Sequence, residues 1–258
     1  MVLALTVCTI TTLSKHIFKK KKKIDGINAL IGLFSSEDEL VAHFIGCTYF
    51  FSREMVQQQA RKVRNEIRMG QPITVRYTSN GAYFLQHAVK TTTPSFANIS
   101  KAIEFTKNPD NALFHRETKI RVRFDANGNY IPKRTIQECT GQLVGNSSTD
   151  TVNNYTIAHI WSKTDNPLYF SLLWNYCLIP CHCTFLTDKR EDSHPVIKRV
   201  KNLIKAISIE LYNPNRIMDW NQDVIKEEDT PSKEAIQEAR RFIKEGLVNF
   251  LPENTIAK

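Results

Sequence analysis

The sequence predicts an α+β fold in which a β-rich middle region lies between N-terminal and C-terminal helices. Apolar residues recur every three or four positions between residues 25 and 70 and again after residue 196, which is typical of helices packed on one face. Between residues 71 and 150 the pattern changes to short alternating segments separated by turn residues, as in strands. The 258 residues are 41% hydrophobic, enough for a packed core.

Positive charge exceeds negative charge along the chain. Lys and Arg number 35 against 26 Asp and Glu, which gives a net charge of +9 at pH 7. Such an excess attracts polyanions, among which nucleic acid is the commonest large one in a cell, although a basic surface also aids solubility alone. The charged fraction of 24% is ordinary, which excludes a wholly disordered chain.

The first residues, 1–24, are predicted to form a basic N-terminal arm. Met1–Ile10 is apolar but too short to span a bilayer, for which about 20 residues are needed. Lys19–Lys23 is an unbroken run of lysines. We expect a cytoplasmic protein with no membrane partner. A displaced signal peptide or an anchor on an anionic membrane surface is the alternative.

Two helices are predicted before the β-rich region. The first follows Ser35 and Ser36 and has Glu37–Glu39 in its first turn, where the helix dipole favours negative charge. The second helix is capped by Ser52 and ends near Gly70. One face of this second helix is basic, which is more often a solvated face than a phosphate contact.

The β-rich region, residues 71–150, is the part of the chain expected to contact DNA. Ile73–Thr78 and Ala82–Gln86 are joined by the turn pair Asn80-Gly81, which indicates a β-hairpin. Residues 91–112 are rich in Thr, Asn and Ser and predict a loop with one short helix.

The predicted strand Lys119–Phe124 carries cations along one face. Its residues alternate between apolar and cationic side chains, with Arg121 and Arg123 on the cationic face. A turn follows and leads to a returning segment with Lys133 and Arg134. We predict that these four cations contact a phosphate backbone. Protection of an exposed strand from edge pairing is an equal alternative for the strand.

Two more helices are predicted in the C-terminal region, residues 196–258. The first runs from Val196 to Leu211 and is apolar on one face. A loop follows, and the last helix is expected to begin with Thr230 as its N-cap and Pro231 at its first position.

The segment from residue 155 to 189 predicts a strand, a polar loop, a second strand and a helix, in this order. The first strand is Tyr155–Trp161 and the second is Trp174–Ile179. Pro180 ends the second strand, and the helix begins near Cys181. His159 lies near the end of the first strand and Asn175 at the start of the second.

This arrangement resembles the HNH family of nucleases, also called ββα-metal or His-Me finger nucleases. In that family a His ending the first strand is the general base, and an Asn opening the second strand supports the site and often binds the metal. The resemblance implies a ββα-metal core over residues 151–195 and a metal-dependent DNA endonuclease, of restriction or defence type. It also implies that His159 and Asn175 are the catalytic residues, with Asn175 as a metal ligand.

Phosphodiester hydrolysis accounts for these residue types. A neutral imidazole takes a proton from water near neutral pH, and a hard cation such as Mg²⁺ or Mn²⁺ neutralises the charge that develops on the phosphate. Without such chemistry, a His on an apolar strand is most often a satisfied core residue, and an Asn before a strand is a turn residue.

The remaining metal ligands are predicted from the same resemblance. Ala158 stands where many members carry Asp or His, and Thr184 stands where they carry a later His or Asn. His182 is a substitute two residues away from Thr184, and Asp165 offers a carboxylate in the intervening loop. Thr184 is expected to bond a metal-bound water.

Two cations and a group of cysteines complete the predicted site. Lys163 and Lys189 are expected to contact phosphate. A structural Zn²⁺ site is the lesser alternative, since the C-x-C spacing fits zinc less well than paired C-x₂-C motifs. Its predicted ligands are Cys177, Cys181, His182 and Cys183, with Cys139 or His194.

Two other functions fit the sequence. The first is a non-catalytic nucleic-acid-binding protein with a degenerate HNH site. The second is an interaction or membrane-surface protein that binds anionic partners through Lys19–Lys23. For the nuclease, a homodimer is expected because enzymes that cut palindromic sites are usually symmetric.

Overall fold

The computed structural model of the chain describes residues 25–77, 83–86, 93–108, 110–125, 128–217 and 224–253. These residues form an α+β fold, as the sequence predicts. The predicted basic arm with its lysine run and the Asn80-Gly81 turn lie outside the described residues. Within the part of the chain that the structure describes, no helix is long and apolar enough to cross a membrane.

The helices and strands are numbered in chain order. The α-helices are α1 (Gly26–Ile31), α2 (Glu37–Cys47), α3 (Arg53–Arg68), α4 (Ile99–Lys107), α5 (Tyr130–Thr140), α6 (Pro167–Phe170), α7 (Phe185–Asp188), α8 (Pro195–Tyr212), α9 (Pro214–Ile217) and α10 (Lys233–Lys244). The β-strands are β1 (Tyr49–Phe50), β2 (Ile73–Arg76), β3 (Phe84–Leu85), β4 (Leu113–His115), β5 (Arg121–Asp125), β6 (Val144–Gly145), β7 (Val152–Asn153), β8 (Tyr155–His159), β9 (Tyr176–Pro180) and β10 (Asn249–Phe250). Short 3₁₀ turns lie at Leu173–Asn175, Cys181–Cys183, Glu191–Ser193 and Glu227–Asp229.

The first sheet contains the predicted strand–loop–strand segment. Its strand order is β10-β1-β9-β8, and β8 and β9 pair antiparallel from Tyr155 opposite Pro180 to His159 opposite Tyr176. Every residue of β9 is buried, which explains why its sequence is an unbroken apolar run. The 3₁₀ turn Cys181–Cys183 and α7 follow β9 directly.

Helix α8 contributes many buried residues to the larger hydrophobic core. It packs against α10, α2 and α3. Its Ser208 hydroxyl donates to the Trp174 carbonyl at 2.6 Å, and its Tyr212 hydroxyl donates to the Phe51 carbonyl at 2.8 Å. Trp174 and Tyr212 are fully buried. Helix α8 therefore holds the end of the segment that connects β8 to β9 against the core.

The second sheet has the strand order β2-β5-β4-β3 and its own small apolar cluster with α4. Its edge strand β2 contacts the segment between β8 and β9 through two hydrogen bonds. The Arg76 amide donates to the Thr164 carbonyl at 2.9 Å, and the Ser171 hydroxyl donates to the Thr74 carbonyl at 2.5 Å. The connection between the two strands of the first sheet is therefore held from two sides.

The predicted hairpin between β2 and β3 is wrong. β2 pairs in parallel with β5, whereas β3 pairs with β4, so the two strands lie at opposite edges of the sheet. β5 lies between β2 and β4, and the edge-protection explanation for its cations therefore does not apply. Val122 and Phe124 are buried and Arg123 is exposed, which confirms the alternation.

The returning segment with Lys133 and Arg134, predicted within the β-rich region, is the helix α5. The predicted helices α2, α3 and α8 are confirmed, with Ser36 and Ser52 as the N-caps of the first two. The last helix begins later than predicted. Its N-cap is Ser232, whose hydroxyl accepts from the Ala235 amide, and not Thr230.

Candidate functional site

His159 lies at the end of β8, between two aromatic rings. Its imidazole stacks on Phe170 with ring centroids 5.4 Å apart and an angle of 5° between the planes. The Tyr176 ring approaches from the opposite strand at 5.2 Å, edge to face. His159 Nε2 is buried and has no hydrogen-bond partner among the described residues. A buried nitrogen without a partner costs about 1–3 kcal/mol and therefore distinguishes His159 from a satisfied core histidine.

The surroundings of His159 favour its neutral form. Burial and, as the smaller cause, the positive charge of Arg76 together lower the pKa of His159 to about 4. The Arg76 guanidinium donates to the Asn129 side-chain oxygen at 2.7 Å and lies 5.9 Å from the centroid of the Phe170 ring. His159 is therefore unprotonated at pH 7, and an anion bound beside it would raise its pKa towards neutrality and make it a stronger base.

Asn175 holds the loop between the two strands. Its side-chain oxygen accepts from the Trp161 amide at 2.7 Å, and its Nδ2 donates to the carbonyls of Trp161 at 3.2 Å and Tyr169 at 3.0 Å. The Asn175 carbonyl also accepts from the Ile160 amide at 2.9 Å. Asn175 is fully buried. In this arrangement its side chain supports the loop that follows His159 and does not offer an oxygen to a metal ion.

A cavity of about 280 Å³ is partly lined by His159. Its charged lining residues are Lys163, Glu191, Lys201, Lys205 and Asp229. The two carboxylates each pair with a lysine, Asp229 with Lys163 and Glu191 with Lys205, the latter at 3.1 Å. The cavity thus combines His159 with cations that bind phosphate and with carboxylate oxygens that bind hard metal ions.

The other predicted metal ligands do not come together at His159. The Thr184 hydroxyl donates to the Cys181 carbonyl at 2.9 Å, and the His182 ring lies 6.0 Å from that of His43. Asp165 lies near enough to His115 to raise the pKa of that histidine against the effect of burial. Among the described residues that line the His159 cavity, none is a predicted metal ligand. The predicted ligand set therefore does not fit a metal ion beside His159.

The predicted phosphate contacts lie in two places. Arg123 and Arg134 line a second cavity of about 430 Å³ beside α3, where Arg134 pairs with Glu138 at 2.7 Å. Lys133 is exposed on α5, and Arg121 is half-buried on β5. The other two predicted phosphate contacts, Lys163 and Lys189, lie at the His159 cavity or next to it. Lys163 lines the cavity, and the carbonyl of the exposed Lys189 accepts a hydrogen bond from Lys201, which also lines it.

Sequence reasoning missed Arg76 and both carboxylates of the cavity. Arg76 ends a strand that was predicted to pair with another partner, and Asp229 lies in a segment predicted as a loop. Glu191 lies in a short 3₁₀ turn before α8. None of these residues stands at a recognisable spacing from His159, so only the folded arrangement identifies them.

A sequence model of the family described as "Uncharacterised protein PM1201" matches residues 51–251 of the chain. This range includes His159, Asn175 and all residues that line the His159 cavity. The comparisons with curated proteins and with solved structures gave no match.

Proposed function

The chain belongs to this uncharacterised PM1201 family, and we propose that it is a metal-dependent DNA endonuclease with His159 as its general base. The observation that carries the proposal is the neutral imidazole at the end of β8, with a buried Nε2 that lacks a partner. A general base must be unprotonated at the working pH and must keep a free nitrogen. His159 meets the first condition through burial and the second through its stacking between aromatic rings.

The support of the site by Asn175 agrees with the resemblance to HNH nucleases. The order of strand, loop, strand and helix in residues 155–188 is that expected of a ββα unit. Asn175 fixes the backbone directly after His159 through hydrogen bonds to Trp161. Because Asn175 and Trp161 are buried, this support of His159 is in place before any ligand binds.

The cavity beside His159 is lined by charged side chains that suit a bound phosphodiester and a metal ion. Lys163, Lys201 and Lys205 are suited to hold the phosphate oxygens. Asp229 and Glu191 are the carboxylates that would hold Mg²⁺ or Mn²⁺, in place of the ligands predicted from the sequence. A bound metal ion would neutralise charge on the phosphate and on the leaving oxygen. In this proposal His159 takes a proton from the attacking water, and the lysines stabilise the phosphate as its charge increases.

Cleavage of supercoiled plasmid tests the proposal. We expect nicked or linear product with Mg²⁺ or Mn²⁺, and no product with EDTA. The His159→Ala variant should cut at least about 100-fold more slowly, since general acid–base catalysis contributes about that factor or more. His194→Asn is a matched control, because His194 caps α8 through its side chain and asparagine keeps that acceptor. Unchanged cutting by His159→Ala would contradict the proposal.

A second candidate is a nucleic-acid-binding protein without catalytic activity. The observation that favours it is the dispersal of the predicted metal ligands, with Asn175 buried and His182 placed beside His43. The same plasmid experiment separates the two functions. Folded protein that shifts DNA in a gel but never cuts it, with either metal ion, would favour the second candidate.

A further inference from the structure

Three potential metal ligands, His43, His182 and Cys183, meet where α2 approaches the 3₁₀ turn that follows β9, and Cys47 lies beside His43. His43 and Cys47 are one helical turn apart on α2, and His182 and Cys183 are adjacent in the turn. The ligand atoms of His43, His182 and Cys183 all lie within 4.8 Å of one another. Cys47 Sγ lies 3.8 Å from His43 Nε2. The fold thus brings together residues that are about 140 positions apart in the sequence.

We propose that His43, Cys47, His182 and Cys183 bind a structural Zn²⁺ ion. Two imidazoles and two thiolates are a common ligand set for tetrahedral zinc. With zinc–ligand bonds of about 2.0–2.3 Å, the ligand atoms of a tetrahedral site lie about 3.3–3.8 Å apart. The ligand atoms of His43, His182 and Cys183, up to 4.8 Å apart, require a closure of about one ångström, and the Cys47 thiol, which lies outside this cluster, must move further to complete the site. Side-chain rotation of the exposed His43 and His182 and of the half-buried Cys47 is the motion that would bring the four ligand atoms together.

The proposed ligands differ from the set that the sequence predicted. Cys177 is fully buried within β9, and the thiol of Cys181 lies 3.7 Å from the Thr156 hydroxyl. Cys181 is exposed and is not part of the cluster, whereas its neighbour Cys183 is 4% exposed. None of the four proposed ligands lines the His159 cavity among the residues described. The zinc site is thus independent of the proposed nuclease site.

Zinc binding depends on pH because zinc binds thiolates and neutral imidazoles, so that its ligands release their protons when the ion binds. We expect zinc affinity to increase as the pH rises from 6 to 8. Bound zinc would join α2 to the end of β9 and stabilise the N-terminal helices against the first sheet.

Cobalt substitution tests the ligand set directly. The full chain is purified with a non-thiol reductant, stripped with a chelator and titrated with Co²⁺ and then Zn²⁺. We expect thiolate-to-cobalt absorption in the near ultraviolet, tetrahedral bands in the visible, and saturation at about one ion per chain. Zn²⁺ should displace Co²⁺ and remove both features.

Cys183→Ser and His43→Gln should each remove tight binding, with at least about a tenfold weaker affinity, since each removes one of the ligands. Cys181→Ser is the matched control, since it changes the neighbouring thiol and should leave the titration unchanged. If Cys183→Ser fails to fold, Cys47→Ser replaces it. An absence of thiolate absorption, equal loss in Cys181→Ser, or a Cys47–Cys183 disulfide that forms in place of zinc binding would overturn the proposal.

Discussion

Asn175 determines the path of the chain after His159. One buried amide satisfies an N–H and two C=O groups of the loop between β8 and β9, which otherwise have no water to bond. Removing such a side chain costs more free energy of unfolding than its hydrogen bonds contribute on average, because the N–H and C=O groups that it bonded remain buried and unpaired. Asn175 therefore stabilises the fold as well as positioning the candidate base.

Replacing Asn175 with alanine should lower the free energy of unfolding by roughly 3 kcal/mol. The reason is the loss of three buried hydrogen bonds and the small cavity left behind. Urea unfolding measures this change. Asn153→Ala is the control, since Asn153 is exposed on β7 and should change the stability by less than about 0.5 kcal/mol. An equal effect of the two substitutions would contradict the structural role of Asn175.

His159 makes stability depend on pH. Its pKa is about 4 in the folded chain against 6.5 for an ordinary histidine, so the unfolded chain binds the additional proton between these values. The free energy of unfolding therefore falls as the pH decreases through this range. From pH 7 to pH 5 the contribution of His159 is a loss of about 2 kcal/mol.

Urea unfolding of the wild type and of His159→Gln at both pH values checks this contribution. The variant should lose about 2 kcal/mol less than the wild type on acidification. The pKa of His115 is also lowered by burial, but His115 is present in both proteins and cancels. An equal decrease in the free energy of unfolding of the two proteins would show that His159 is not buried as a neutral imidazole.

At the residue scale, the sequence identifies the candidate base but not its surroundings. His159 and Asn175 were found because both stand at the ends of an apolar strand pair, where local patterns are clear. Arg76 could not be found, since it reaches His159 only because β2 runs along the loop between β8 and β9. The same applies to His43 and Cys47, whose spacing along α2 becomes informative only beside His182.

At the scale of elements, the helices with clear periodicity were predicted well, whereas strand pairing in the second sheet was not. The helices α2, α3 and α8 are determined by local periodicity and by capping groups that lie within a few residues of each other. Strand pairing depends on contacts between distant segments, and β5 separates β2 from β4 although it follows both in the chain. The Asn80-Gly81 pair favoured a hairpin locally, but this signal does not determine which strands become neighbours.

The start of α10 provides a test at this scale. Ser232→Ala should lower the free energy of unfolding by about 1 kcal/mol, because the Ser232 hydroxyl accepts from the Ala235 amide in the first turn. Thr230→Ala, at the cap predicted from the sequence, should cost less, since its exposed hydroxyl donates only to the Lys226 carbonyl. Thermal or urea unfolding compares the two. A larger effect of Thr230→Ala would place the helix start two residues earlier.

At the scale of the molecule, the excess of positive charge predicts salt-dependent binding to DNA. Arg123 and Lys133 are exposed on β5 and α5, and neither forms an ion pair within the part of the chain that the structure describes. A plot of log affinity against log salt concentration has a negative slope. Replacing both residues with alanine should make this slope shallower by about 2, because two fewer phosphates are neutralised. Fluorescence anisotropy with labelled duplex DNA measures the slope.

The control for this experiment replaces two lysines on α10, Lys233 and Lys244, with alanine. This helix packs mainly on α8, whereas β5 packs mainly on β2, β4 and α4, so the slope should change little although the net charge falls equally. Equal changes for the two pairs would show that DNA responds to total charge alone, without a defined binding face.

Chemical rescue of a His159→Gly variant by imidazole is the most direct test of the proposal that His159 is the general base. Glycine removes the base and leaves a space beside the Phe170 ring, where free imidazole can stack. We predict that the variant cuts plasmid at least about 100-fold more slowly than the wild type. Added imidazole should restore part of the rate, and more so as the pH rises and imidazole loses its proton. Full activity of the variant without imidazole, or a folded variant that imidazole never restores, would contradict His159 as the general base.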